Sequence, residues 1–196
     1  MERHELTELH YIAPIDNLTS MLVHGILSHQ GAARLRPKSV AMPEIQERRA
    51  GVRVPGGRRL HEYVNLYICA RNPMLFKLRD SRDQLCVVSI SPDVLDLDGV
   101  VVSDGNASGD YVRFAMAPAG LRIVNRELTF AEYWTDNDPI VYYRKKTAKC
   151  AEVLVPDRVE LRYIHSAYVW SDDVARTIHD LSSSFRVHVN AQLFFA

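Results

Sequence analysis

Twelve arginines and lysines lie between residues 33 and 82 against four acids, and Arg48 and Arg49 stand side by side among them. A guanidinium offers a planar fork of donors matched to phosphate oxygens. Such a basic third suits a phosphate-bearing ligand or a nucleic-acid strand as readily as it suits a solvated, self-neutralising surface. Residues 83–140 reverse the balance, with ten acids against three arginines, so the formal neutrality of the 196-residue chain conceals a strong asymmetry. Other chemistry is excluded by what is missing. There is no GxxxxGKS/T, GxGxxG, HExxH or GxSxG segment, so P-loop, Rossmann, zinc-protease and nucleophile-elbow readings fall away. Eight histidines, including His10, His24, His29 and His61, follow no metal-ligand spacing, and no metal is expected. Cys69, Cys86 and Cys150 form no CxxC pair and suit a reducing cytoplasm rather than a disulfide framework.

The elements that must position such residues are short. With 47% hydrophobic residues the chain can bury one sizeable core, so residues 1–196 read as a single domain. No segment has the apolar length of a signal peptide or a membrane span. Residues 6–12 read as a strand, followed by a helix with Leu18, Met21 and Leu22 on one face, a cap at Asp16 or Asn17, and Gly25 as its stop. Residues 31–38 read as a basic loop, and Pro43 opens a helix that carries Arg49 near its C-terminus. Strands are expected at 63–69, 86–90, 100–103, 151–155, 159–169 and 185–189, and helices from Asn72-Pro73 and at 92–95, 127–134 and 172–181. Residues 144–149 read as a basic loop. This order has no regular βαβ rhythm and predicts an α+β fold with a mixed or antiparallel sheet and short flanking helices.

Three segments taken together resemble a known family. They are Leu9-His10-Tyr11-Ile12-Ala13-Pro14-Ile15-Asp16-Asn17-Leu18; then Ile45-Gln46-Glu47-Arg48-Arg49 with His61-Glu62-Tyr63-Val64 and Arg71-Asn72-Pro73-Met74-Leu75 behind it; and Lys145-Lys146 leading to Ala151-Glu152-Val153-Leu154-Val155. Their order and spacing over most of the chain is similar to the DarT family of DNA ADP-ribosyltransferases, the toxins of bacterial toxin–antitoxin pairs. One departure stands out. Relatives carry His-Ile-Thr where this chain has Tyr11-Ile12-Ala13, with His10 one place early and therefore on the opposite face of a strand.

The resemblance implies an ADP-ribosyltransferase-like split sheet, NAD as donor and a base of single-stranded DNA as acceptor. It implies that Glu152 stabilises the ribosyl cation and that Arg49 holds donor and acceptor, Arg48 being about 100° away on the helix. Tyr11, Ile12, Ala13 and Tyr67 would meet the nicotinamide and its ribose, and Ser20 and Ser28 the adenosine side. Arg71, Asp104, Asn106, Lys145 and Lys146 are the DNA-contact candidates, with Tyr142 and Tyr143 available for stacking. The implied partner is an ADP-ribosyl hydrolase antitoxin, such as a macrodomain protein, in a bacterial cytoplasm. An RNA or protein acceptor, or a non-catalytic nucleic-acid-binding module, would use the same basic region.

Overall fold

The strands form where β-branched and aromatic residues crowd together. A computed structural model describes residues 1–39 and 43–196. Its strands are β1 (Leu9–Pro14), β2 (Ile26–Leu27), β3 (Tyr63–Tyr67), β4 (Leu85–Ile90), β5 (Val101–Ser103), β6 (Phe114–Met116), β7 (Glu152–Pro156), β8 (Arg158–Val159), β9 (Ile164–Val169) and β10 (Val187–Val189). The α-helices are α1 (Leu18–His24), α2 (His29–Ala32), α3 (Pro43–Gly51), α4 (Pro73–Lys77), α5 (Arg126–Phe130), α6 (Pro139–Ala148) and α7 (Asp172–Leu181). Eight strands make one sheet in the order β10-β9-β4-β1-β3-β7-β5-β6, antiparallel throughout except for β10 against β9. The fold is α+β, with helices flanking a mixed sheet.

The centre of that sheet is split. β1 pairs with β4 along six residues, from Leu9 opposite Ile90 to Pro14 opposite Leu85, and β3 pairs with β7 along five, from Tyr63 opposite Pro156 to Tyr67 opposite Glu152. Between β1 and β3 the only registered pair is His10 with Tyr67. The two halves therefore part beyond that rung, and the backbone edges of Tyr11–Pro14 and Tyr63–Leu66 face a gap rather than each other.

Burial fixes what lies on each face. Leu9, Ala13, Leu66, Val88, Val153 and Val155 share the larger apolar cluster, closed by Leu18 and Met21 of α1 and by Val174 and Ile178 of α7. Ile12, Tyr67, Val87 and Cys150 lie in a second cluster with Phe194 near the C-terminus. Gly25, which ends α1 at φ +76°, has no substitute: a Cβ there would stand 2.3 Å from the carbonyl oxygen of Val159.

Several boundaries differ from the sequence reading. The first strand starts at Leu9, after a 3-10 turn at Arg3–Glu5 and three irregular residues. Asn17 occupies the N-cap of α1 but bonds both backbone groups of Lys38 instead of capping. The expected single strand over 159–169 is broken by a 3-10 turn at Leu161–Tyr163, and the expected helix over 127–134 ends at Phe130. Residues 92–95 form a 3-10 turn, and the C-terminal strand begins at Val187. Part of the supposed loop 31–38 is the end of α2 and a 3-10 turn. The supposed basic loop 144–149 is mostly the last turn of α6, whose start is marked by Asp138, accepting from the Ile140 and Val141 amides, and by Pro139 in the first helical turn.

Candidate functional site

Glu152 opens β7 and is flanked in register by Tyr67 of β3 on one side and Ser103 of β5 on the other. Enclosed by two strands, it has no exposed surface. A buried carboxylate is costly unless its oxygens are satisfied. Here Oε1 accepts from Arg49 Nη1 at 3.3 Å and from the Ala107 amide at 3.0 Å, while Oε2 accepts from Arg49 Nη2 at 3.1 Å. The two-pronged pairing needs the arginine fork and could not be made by lysine.

α3 supplies Arg49. Ile45, Gln46 and Arg49 line the cleft on one face of the helix, whereas Arg48 is exposed, as the helical angle between neighbours requires. Burial pulls the Arg49 guanidinium down, but the Glu152 charge and hydrogen bonds outweigh it, and the net shift is upward. Gln46 Oε1 is 3.1 Å from His61 Nε2, and His61 stacks on His29 of α2 with ring centroids 4.1 Å apart. The helix carrying Arg49 is thus braced by His61, which is itself held by the stack on α2.

The Ala107 amide is aimed by a tied-down loop. Ser103 Oγ donates to the Gly105 carbonyl at 2.7 Å, Asp104 pairs with Arg113 Nε at 2.6 Å, and Asn106 Oδ1 accepts from the Ser108 amide and hydroxyl. Gly105 packs so closely on Thr147 of α6 that a Cβ would lie 2.5 Å from its methyl carbon.

A cleft of about 490 Å³ opens into the split between β1 and β3, within the range of small-molecule sites. Tyr11, Ile12, Pro14, Tyr63, Asn65 and Tyr67 line it along the parted strand edges, and Arg49 forms its floor. Lys38, Lys77 and Lys146 also line it, and no aspartate or glutamate does among the described residues. Of these cations, Arg49 is matched by Glu152 and Lys38 by Asp16, while among the described residues no ion pair engages Lys77 or Lys146. The cleft therefore carries a positive potential suited to an anionic ligand. Burial raises the phenols of Tyr11 and, more strongly, Tyr67, so both stay protonated as donors.

Of the residues singled out in the sequence, the structure brings Tyr11, Ile12, Arg49, Tyr67, Asn106 and Lys146 to the cleft wall, with Glu152 directly behind Arg49. Others lie off that wall. Ala13 is buried in the larger apolar cluster, Ser20 is half-buried on α1, and Ser28 is buried, accepting from the Gly31 amide to cap α2. Arg71 bonds the carbonyls of Gln192 and Glu132 and lies over the Phe195 ring, Asp104 holds Arg113, and Lys145 is tied to Asp136 at 2.7 Å. His10 does not line the cleft. Sequence reading missed His29, Gln46, Met74, Lys77 and Cys150 on the wall. For Met74 and Lys77 a signal existed in the Asn72-Pro73 helix start. Among the described residues no group of three His, Cys, Asp or Glu side chains could hold a metal ion.

The family model described as ssDNA thymidine ADP-ribosyltransferase, DarT, matches residues 10–195. The chain belongs to that family. A DNA ADP-ribosyl transferase–DNA ADP-ribosyl glycohydrolase fusion protein of Thermosipho africanus is 33% identical over 177 residues, covering 87% of this chain. The chain spans only 44% of that relative's length. The structure of Thermus sp. 2.9 DarT in complex with ADP-ribosylated ssDNA superposes with a TM-score of 0.82 at 27% identity, covering 96% of both chains. The structure of the same Thermus protein in complex with NAD+ gives a TM-score of 0.78 at 26% identity, covering 96% of this chain and 98% of that one.

Proposed function

We propose that this chain transfers ADP-ribose from NAD to a base of single-stranded DNA, thymine being the base named by the family description. The observation that carries the reading is the sealed Arg49–Glu152 pair at the floor of an acid-free, cationic cleft. The NAD-bound and DNA-adduct structures of a relative of the same fold support both substrates.

The chemistry follows from charge. As the bond from the ribose anomeric carbon to the nicotinamide nitrogen breaks, positive charge grows on the ribose and nicotinamide leaves. A fixed carboxylate stabilises that transition state more than the ground state. The acceptor base then bonds to the same carbon through a ring nitrogen, whose proton passes to water. Arg49 pairs with Glu152, and a guanidinium drawn toward the NAD pyrophosphate would open the carboxylate to the ribose. Tyr11 and Tyr67 hold the nicotinamide end, and Lys146 and Asn106 face the incoming strand. An unpaired base can reach such a recessed centre and a stacked one cannot.

Residues 1–196 act as one catalytic domain, and the counterpart is an ADP-ribosyl hydrolase, as the fusion relative joins the two activities in one chain. A bacterial cytoplasm, where NAD and DNA are both present, suits three free cysteines, and no helix among the described residues is long and apolar enough to cross a membrane. Single-stranded oligonucleotides that differ only at one thymine test the acceptor. ADP-ribose should appear only on those with the thymine; equal labelling of an oligonucleotide without it, or of RNA alone, sinks the assignment.

A further inference from the structure

Three aromatic rings from distant parts of the chain meet at the surface. The Phe76 ring of α4 is 5.7 Å from Trp134, which precedes α6, and 5.1 Å from Phe195 near the C-terminus, while Trp134 and Phe195 are 5.9 Å apart. All three pairs are edge-to-face, with interplanar angles of 79°, 77° and 90°, the geometry that aromatic quadrupoles favour. The set is not core packing, for Phe76 is 40% exposed and Trp134 and Phe195 are half-buried.

Polar contacts hold the rings in place. Arg71 donates to the carbonyls of Glu132 and Gln192, each at 3.1 Å, and so joins the segments that carry Trp134 and Phe195. Its guanidinium lies 4.3 Å from the Phe195 ring centre, and that of Arg79 lies 4.3 Å from the Phe76 ring centre. Lys149 Nζ donates to the Ala131 carbonyl at 2.7 Å, anchoring the Trp134 segment from the other side. The set also adjoins the cleft. Pro73, Met74 and Lys77 of α4 line the cleft, and Phe76 lies three positions after Pro73 on the same short helix; Cys150, which follows Lys149, lines it as well.

We propose that Phe76, Trp134 and Phe195 form a stacking platform for the nucleotides that flank the target base of a single-stranded DNA. Proteins that grip single strands pair aromatic faces, on which bases of any sequence stack, with cations that follow the phosphates, and guanidinium planes serve as stacking surfaces too. Both parts are present here. Arg71 and Arg79 lie against two of the rings, and Lys77, beside Phe76 in the chain, continues the positive charge onto the cleft wall. Asp80 stands 3.9 Å from Arg79 Nε, but both side chains face solvent, where such a pair contributes little. Among the described residues no cation lies over Trp134, so the largest of the three rings is left to a base. This charge favours a polyanion over the apolar anchor of a protein partner. That the bound strand is the substrate rests on the reading given under Proposed function; the binding of single-stranded DNA to this face does not.

The test compares a short strand holding the target thymine with the same strand extended by several nucleotides on one side or the other. Fluorescence anisotropy without NAD reads binding, and mass spectrometry with NAD reads modification. One of the two extensions should tighten binding to the natural chain, and Phe76→Leu and Trp134→Leu should each remove about fivefold or more of that gain. Phe76→Tyr and Trp134→Phe should retain it, since they keep a ring to stack on. Arg79→Ala should reduce the salt dependence of binding to the long strand by about one phosphate contact. Circular dichroism establishes that each variant is folded. No gain from either extension, or equal losses in the leucine and aromatic variants, overturns the proposal. A gain that persists in the leucine variants also overturns it and leaves the patch to a protein partner. Binding that behaves as expected while no strand is ever modified supports the platform and overturns the function reading instead.

Discussion

Arg49 and Glu152 lie 103 positions apart in the chain and meet as a two-pronged ion pair closed off from solvent, with the Ala107 amide as its third point of contact. Each charge makes the burial of the other tolerable. Their union at the floor of the cleft ties together α3, the 104–109 loop and β7.

Replacing the carboxylate with its neutral isostere separates charge from shape. Glu152→Gln should lower DNA modification by about a hundredfold to a thousandfold. It also leaves Arg49 as an uncompensated buried charge, costing about 3–5 kcal/mol of stability. Single-turnover assays and urea denaturation read the two effects. Full activity in a folded variant would remove Glu152 from the mechanism.

Arg49→Lys keeps the charge and loses the fork. One ammonium cannot reproduce both bonds to Glu152, so the expected loss is about tenfold to a hundredfold in kcat/KM, one or two charge-assisted hydrogen bonds. Steady-state kinetics in NAD would show it, and an unchanged value would mean that a point charge suffices there.

The two adjacent lysines of α6 should behave differently. Lys146 lines the cleft and lies 5.5 Å from the Tyr142 ring, while Lys145 is engaged by Asp136. Lys146→Ala should raise KM for the oligonucleotide and reduce the salt dependence of binding by about one phosphate contact. Lys145→Ala should do less of both. Equal effects would argue that the strand runs outside the cleft.

His10 predicts a pH dependence of folding. Among the described residues its buried Nδ1 has no hydrogen-bond partner, and burial, only partly opposed by Glu8, pulls its pKa down to about 4. The folded state therefore holds the ring neutral while the unfolded chain takes up a proton near 6.5. This contribution is complete above pH 6.5 and is lost as pH falls toward 4, by up to about 3 kcal/mol. Urea midpoints across that interval should fall more steeply for the natural chain than for His10→Leu; parallel profiles would contradict the assignment.

What was legible in the sequence was what local pattern encodes. Gly25 and the Asn72-Pro73 pair announce helix boundaries by their own backbone chemistry, and the runs read as strands at 63–69 and 86–90 carry that character in composition, the folded strands spanning Tyr63–Tyr67 and Leu85–Ile90. The basic third foretold the cleft's charge, since Lys38, Arg49 and Lys77 all come from it. The choice of Arg49 over Arg48 rested on the resemblance, and the structure buries the first and exposes the second. What was hidden depends on pairing across the chain. The parting of β1 from β3 leaves no trace in either strand's residues, and the covering of Glu152 by a side chain 103 positions away cannot be read from spacing. Ser28 looked like a ligand contact because small polar residues serve equally as helix caps, which is its role here. α6 was overlooked because its basic end outweighed the Asp138-Pro139 start signal.

The most direct test of the account is mass spectrometry of a thymine-containing single-stranded oligonucleotide incubated with NAD and either the natural chain or Glu152→Gln, circular dichroism first establishing that both are folded. The account predicts a gain of one ADP-ribose on the DNA with release of nicotinamide for the natural chain, and neither for the variant. NAD left intact by the natural chain, or an adduct formed equally well by Glu152→Gln, would contradict it.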